Sequence, residues 1–221
     1  MKQFDIYKIA FFLVFISLFS CKNEEIVEDV DGNEYHTTRI GKQTWMVENL
    51  RVSRFKNGDS IEKLKSSKDW KKVNQAGYSF YNNDVDFVKD YGFLYNYNCL
   101  QDKRGIAPEG WRIPTEEDLR QLESFINSDS IGFFLKEKGN QHWLASDAVG
   151  NNATGFKALP GGYRDEEGGF YMLKSNGYYW TVNGSFEFYN WSHRMFQVFA
   201  DVRRDSVFRQ YGFSIKCIKE E

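Results

Sequence analysis

Apolar positions fall into many short segments, and Gly- or Asn-containing turn dipeptides separate them. Asp31-Gly32, Asn57-Gly58, Asn176-Gly177 and Asn183-Gly184 mark turns, because Gly and Asn accept positive φ at low cost. Ile26-Val27 and Glu34 to Ile40 flank the first of these and predict a hairpin arm. Gly41-Lys42 gives a second turn before Gln43 to Val47. One helix is well marked. Leu119, Leu122, Phe125 and Ile126 repeat at spacings of three and four, behind Thr115 as N-cap, Asp118 three residues later and an acidic first turn. A second helix is predicted over Ile131 to Lys138, ended by Gly139. Beyond Gly155 the pattern predicts strands: Phe156–Leu159, Gly161–Arg164, Gly169–Leu173, Tyr178–Val182, Met195–Val202 and Phe213–Ile218. The predicted class is α+β, with no internal repeat and no low-complexity tract.

The amino terminus changes the picture from a plain globular chain to an exported one. Lys2 and Lys8 precede an apolar run from Ile9 to Phe19, and Ser20-Cys21 follow. At 1.5 Å per residue the run reaches roughly 17 Å, short of a bilayer core of about 30 Å, so it is no permanent span. Leu18-Phe19-Ser20-Cys21 resembles the bacterial lipobox, in which cleavage precedes a cysteine that becomes acylated. Phe19 departs from the small residue usual at its place. Several acyl chains on Cys21 would hold the chain stably on a membrane. Lys22-Asn23-Glu24-Glu25 resembles the export signal of Bacteroidetes lipoproteins, which implies the outer membrane, facing the cell exterior. The expected organisation is a signal peptide over residues 1–20, a lipidated Cys21 with an acidic tether over 21–29, and one domain over 30–219.

The chain has 29 Lys and Arg against 31 Asp and Glu, a formal net charge of −2; loss of residues 1–20 would make it −3. No basic block exceeds a pair, as at Lys71-Lys72 and Arg203-Arg204, so no nucleic-acid partner is expected. Aromatics make up 18% of the residues, enough that some must leave the core or line a binding surface. With Cys21 acylated, Cys99 and Cys217 remain. An exported pair can bridge, but sequence alone does not bring them within reach, and both states stay open.

The search for reactive chemistry yields little. His36, His142 and His193 lack His or Cys partners at metal-site spacing, and no nucleophile elbow, P-loop or dinucleotide fingerprint is present. Asp84-Val85-Asp86 and Asp165-Glu166-Glu167 could offer oxygen ligands to calcium, but read better as solvated turns; no cofactor is expected. Two stretches are candidate binding sites. Leu159-Pro160-Gly161-Gly162-Tyr163-Arg164 pairs an amphipathic ring with a planar guanidinium, which either binds a ligand or pairs internally with Glu116 or Glu117. Phe186, Phe188, Tyr189, Trp191 and Phe196 form an aromatic cluster beside Asn183, Asn190 and His193, suited to stacking on sugar faces or to ordinary sheet packing. The expected ligand residues are therefore Tyr163, Arg164, Tyr189, Trp191 and His193.

A family resemblance runs through the chain. Asp31–Tyr35, Ile40–Arg51, Tyr91–Asn96, Ala107–Thr115, Gly155–Arg164 and Gly212–Ile218 together resemble the Fibrobacter succinogenes major paralogous domain, over about residues 27 to 219. Members carry a cysteine before Pro-x-Gly-Trp in some cases, where Ala107 stands here. Gly110-Trp111-Arg112-Ile113-Pro114-Thr115-Glu116-Glu117 also resembles an element of formylglycine-generating enzymes, which implies a C-type-lectin-like fold: a twisted mixed sheet, few helices and much irregular chain. The enzyme's copper chemistry needs thiolates in contexts that Cys99 and Cys217 do not match. Lectin-type sugar-selecting tripeptides are absent as well. The expected function is a non-enzymatic recognition or adhesion module at the cell surface, for a glycan or peptide. The alternatives are an enzyme on the formylglycine-type scaffold, its site among Arg112, Tyr163, Arg164 and Trp191, and a structural fimbria-associated component.

Overall fold

The computed structural model describes residues 25–72, 74–144, 149–182, 189–196 and 201–221; within 189–196 it describes the side chains of Arg194 and Met195. The expected signal peptide, Cys21, the aromatic residues Phe186 and Phe188 and the expected Asn183-Gly184 turn lie outside the described residues. None of the described helices is long and apolar enough to cross a membrane.

The fold is α+β, with several small sheets and few helices. The amino-terminal arm folds as expected. Strands β1 (Val27–Glu28) and β2 (Glu34–Tyr35) pair across the Asp31-Gly32 turn, and β3 (Thr37–Ile40) and β4 (Gln43–Met46) pair across Gly41-Lys42. Gly32 and Gly41 both have positive φ, 80° and 61°. A three-stranded sheet follows, in the order β5 (Glu62–Lys63), β6 (Gly77–Ser79), β7 (Leu94–Tyr95). Short helices α1 (Ser67–Trp70), α2 (Val88–Tyr91) and α3 (Tyr97–Gln101) border it.

Strand β8 (Trp111–Arg112) leads into α4 (Glu116–Ile126), whose start is fixed by several bonds at once. Thr115 Oγ accepts from Asp118 N at 3.2 Å, and Asp118 Oδ2 accepts from Thr115 N at 2.6 Å, a complete capping box. Arg112 grips the same carboxylate with both terminal nitrogens, at 2.6 and 2.8 Å. Burial works against the Asp118 charge, but the bonds from Arg112 and Thr115 outweigh it and hold the carboxyl below its usual range. The Gly-x-Arg-x-Pro-Thr segment is thus a strand-to-helix joint.

The second helix is shorter than expected. α5 covers Ile131–Leu135, and Lys136 and Lys138 leave it in extended form to bridge Ala158 and Gly150. Phe156–Leu159 forms only that bridge. The Asn176-Gly177 turn is also corrected, since both residues lie inside β11 (Asn176–Trp180). A Cβ on Gly177 would sit 2.7 Å from Leu159 O, so close packing selects this glycine. The chain reverses one step earlier, with Met172 and Lys174 both at φ 63°.

The largest sheet has the order β10 (Phe170–Leu173), β9 (Gly161–Arg164), β11, β12 (Tyr189–Phe196), β13 (Val202–Phe208). Every residue of β11 is buried, because a core lies on each face. Tyr178 and Trp180 face one core with Tyr95, Trp111 and Phe213; Tyr179 faces the other with Trp45, Leu122 and Phe156. The last strand, β14 (Ile218–Lys219), lies between β4 and β8. Before it, residues 213–217 run as irregular chain rather than as the expected strand, held by bridges from Phe213 to Tyr95 and from Ser214 to Tyr179. Trp45, Trp111 and Trp180 are all core residues.

Two lysines are buried in this frame. Lys216 is 2% exposed, donates to Val47 O and lies 5.1 Å from the Phe156 ring centre. Burial brings its ammonium down to about 7. Lys136, also 2% exposed, lies 5.3 Å from the Trp143 ring, and burial brings it down to about 8.

Candidate functional site: an aromatic ledge

Tyr163 and Arg164 are neighbours on β9, so the pleat sends them to opposite faces. Arg164 goes inward and is 1% exposed. Its guanidinium donates to Gly168 O at 3.2 Å, to Lys65 O at 3.1 Å and to Leu64 O. It lies between the Trp70 and Phe170 rings, 4.3 and 4.7 Å from their centres. Three carbonyls, rather than Glu116 or Glu117, are its partners; Glu116 pairs with Arg204 at 2.7 Å. Arg164 thus fastens the 64–65 chain to β9.

Tyr163 faces the other way and heads a row of rings. Its cross-strand partner Tyr171 lies 5.5 Å away between ring centres, and Tyr211 lies 5.7 Å away on its other side. Tyr211 continues to Phe208 at 6.4 Å. The interplanar angles along the row are 33°, 26° and 16°. Tyr171 is 45% exposed and Phe208 39%, whereas Tyr163 and Tyr211 are half-buried. Beneath the row, Tyr178 meets Tyr163 edge-on at 4.8 Å and stacks on buried Phe213 at 5.2 Å. The row is thus a supported ledge. Its local geometry depends on Gly162, whose φ is 65° and whose missing Cβ would fall 2.4 Å from Tyr171 O. Tyr171 is followed by Met172, 49% exposed and left-handed, a backbone state that side chains rarely occupy.

Acidic groups edge the ledge. The turn after β9 carries Asp165, Glu166 and Glu167, closed by Asp165 N donating to Gly169 O at 2.9 Å. Asp165 Oδ1 accepts from Gly169 N at 2.7 Å, Glu167 pairs with Lys71, and Glu166 lies on the Tyr211 side of the turn. Burial, and then the neighbouring Glu166 carboxylate, push the Tyr211 hydroxyl well above its ordinary range.

The other expected ligand residues sit on β12. Register sets Tyr189 opposite Phe208, Trp191 opposite Ser206, and His193 between Tyr179 and Arg204. Tyr189 is thereby beside the far end of the ledge, while Arg164 is not part of it. Tyr171, Tyr211 and Phe208 were not singled out in the sequence. The Tyr163–Tyr171 pairing was within reach of a hairpin argument, but nothing local signals Tyr211, which lies just after β13.

Other polar groups are committed elsewhere. Arg112 lies in a different sheet from Arg164 and is held by Asp118, so these two do not converge. His142 Nδ1 is bonded to Glu137 at 2.8 Å, and His36 Nδ1 to Glu48 at 2.8 Å. A cleft of about 240 Å³ opens beside Asp29, Lys56, Ala107 and Glu109. Asp29 there is saturated by Asp31 N, by the amide and side chain of Asn33, and by the Tyr35 hydroxyl. Cys99 and Cys217 are free thiols buried in one core, with Cys99 Sγ 3.2 Å from Gly77 O. Burial pushes the Cys99 thiol well up and that of Cys217 to about 12, which disfavours the thiolates that soft metals need. Among the described residues no group of three or more His, Cys, Asp or Glu could hold a metal ion.

No curated protein and no solved structure matches this chain. One family model does, the Fibrobacter succinogenes major domain, over residues 38–219. That span holds the ledge, the Arg112–Asp118 joint and most of both cores, and the chain belongs to the Fibrobacter succinogenes major domain family.

Proposed function

We propose that this protein is a lipid-anchored, non-enzymatic recognition module of the bacterial surface, and that the ledge of Tyr171, Tyr163, Tyr211 and Phe208 binds a carbohydrate chain. The observation that carries this reading is the four-ring row, open to solvent at both ends and backed by a packed floor. Aromatic rings with polar tips bury apolar sugar faces while their hydroxyls stay available for hydrogen bonds. Exposed contiguous apolar surface of this kind marks binding sites on folded domains. The shallow shape suits an extended chain better than a small substrate, which takes a deep pocket with convergent polar groups. The membership of a surface-domain family and the Leu-x-Ser-Cys sequence at Cys21 support placement on the outer membrane. The Gly110–Glu117 resemblance supports a C-type-lectin-like variation of the α+β fold.

A glycan screen on the whole protein in detergent tests the reading. Some carbohydrate chain is expected to bind, and Tyr171→Ala with Phe208→Ala is expected to weaken it at least about tenfold, some 1.4 kcal/mol. Both side chains are over a third exposed, so the fold should survive their loss. Absence of all carbohydrate binding, or full binding by the double variant, sinks the proposal.

A further inference from the structure

We propose that the face carrying the β1–β2 arm and the end of β14 lies against a phospholipid bilayer, with Ile26 and Val30 seated among the lipid headgroups; this rests on Cys21 being the lipid anchor. Tether length is the first observation. Glu25 follows Cys21 by four residues, so at 3.3–3.6 Å per residue the link spans at most about 14 Å in any conformation. A domain of about 190 residues has a radius of gyration of about 16 Å and is roughly 40 Å across. A link that short confines contact with the membrane to the surface around Glu25. Glu25 is itself held, because Lys219 Nζ donates to its two carboxylate oxygens at 2.7 and 2.8 Å. The end of β14 therefore shares the membrane-facing pole with the arm.

The second observation is what that surface presents. Along residues 26–30 burial alternates: Val27 and Asp29 are buried, whereas Ile26 is 55% and Val30 42% exposed, with Glu28 exposed between them. Val27 turns inward beside Tyr35, its cross-strand partner, so the core makes no use of the two outer aliphatic groups. Aliphatic side chains next to an acyl anchor add apolar contact at the boundary between headgroups and acyl chains. The cleft beside Asp29 opens on this face, since Glu28 and Val30 line it together with Lys56, Pro108 and Glu109. Charges of both signs meet here, Glu28, Glu34 and Glu109 against Lys56 and Lys219, and no polybasic patch selects anionic lipid. The fitting surface is a zwitterionic one, touched through apolar groups.

The test uses the acylated protein in vesicles of phosphatidylcholine and phosphatidylethanolamine, spin-labelled at Glu28→Cys or at Glu167→Cys, the latter in the turn that edges the ledge. Cys99 and Cys217 are buried and stay unlabelled. Relative to the soluble Cys21→Ala form, access of a water-soluble paramagnet to residue 28 is expected to fall about threefold or more in vesicles. Access to residue 167 is expected to change by less than about 1.5-fold. Ile26→Asp with Val30→Asp is expected to return residue 28 to within about 1.5-fold of the soluble form. Both side chains point outward, so the fold should stand. Adding phosphatidylglycerol is expected to leave the protection unchanged. Equal access at the two sites in vesicles, or greater protection at residue 167, overturns the proposal and leaves the anchor. Protection at residue 28 that survives the double variant, or that needs phosphatidylglycerol, overturns the apolar contact. Failure of the unsubstituted protein to float with vesicles removes the anchor reading, and this inference with it.

Discussion

Arg164 lies 4.3 Å above the Trp70 ring and donates to the carbonyl of Leu64, one hundred residues earlier in the chain. Two of its three carbonyl partners, those of Leu64 and Gly168, belong to buried residues, while Lys65 O also accepts from Asn83 Nδ2 at 3.0 Å. Arg164→Ala is therefore expected to destabilise the fold by about 3–5 kcal/mol, the cost of orphaning several buried polar groups at once. Arg164→Lys should recover little, since a single ammonium cannot replace a planar fork that also stacks. Urea unfolding of both variants measures this; a loss below about 1 kcal/mol in Arg164→Ala would show that the carbonyls find other donors.

Asp118 joins a strand, a helix cap and a side-chain amide network. Gln43 Nε2 donates to Asp118 O at 2.8 Å, and Trp45 Nε1 donates to Gln43 Oε1 at 3.1 Å. Asp118→Ala is expected to cost about 2 kcal/mol through the lost cap and the released Arg112. The folded carboxyl titrates below its unfolded value. Its stabilisation is therefore present above the unfolded pKa of about 3.9 and is lost as pH falls through the folded value. Acid unfolding curves of wild type and variant should converge at low pH, and parallel curves would contradict this account.

Lys216 has the opposite sign. Its folded value of about 7 lies below the ordinary 10.5, so between these the unfolded chain holds a proton that the folded chain has shed. Stability should rise with pH across this window, and Lys136 adds the same trend from about 8. Lys216→Met is expected to stabilise the protein at pH 7 and to flatten the rise. Denaturant midpoints at pH 6.5, 8 and 9.5 report it; an equal slope in the variant would assign the trend to other groups. Above about pH 10 the buried tyrosines, raised in the folded state, reverse the sign.

Membrane attachment has a separate test. Cys21→Ala should move the protein from the membrane fraction to the soluble one, and the native amino terminus should carry fatty acid by mass spectrometry. Persistent membrane association of Cys21→Ala would refute the anchor.

Some of this architecture was legible in the residues because its causes are local. The α4 cap, the apolar stripe behind it and the β3–β4 turn each depend on neighbours within a few positions. What escaped was set by distant partners. Lys136 leaves its helix to pair with Ala158, and Gly177 stays in a strand because Leu159 presses on it. The Tyr163-Arg164 dipeptide invited a single site, but alternation along β9 gave one ring to the surface and one cation to the core. Tyr211 joins Tyr163 from 48 positions further along the chain, through contacts that no sequence period reveals. Burial of Lys216 likewise has no signature in its own segment.

The position of β14 between β4 and β8 has a consequence for biogenesis. A strand made early and a strand made midway stay unjoined until residue 218 arrives to fill the gap between them. Phe213, the support beneath Tyr178, comes with the same late segment. The domain therefore remains open until its last strand is made, and such long-range closure is intrinsically slow. A domain that delays its own completion in this way resists premature compaction until its last strand docks.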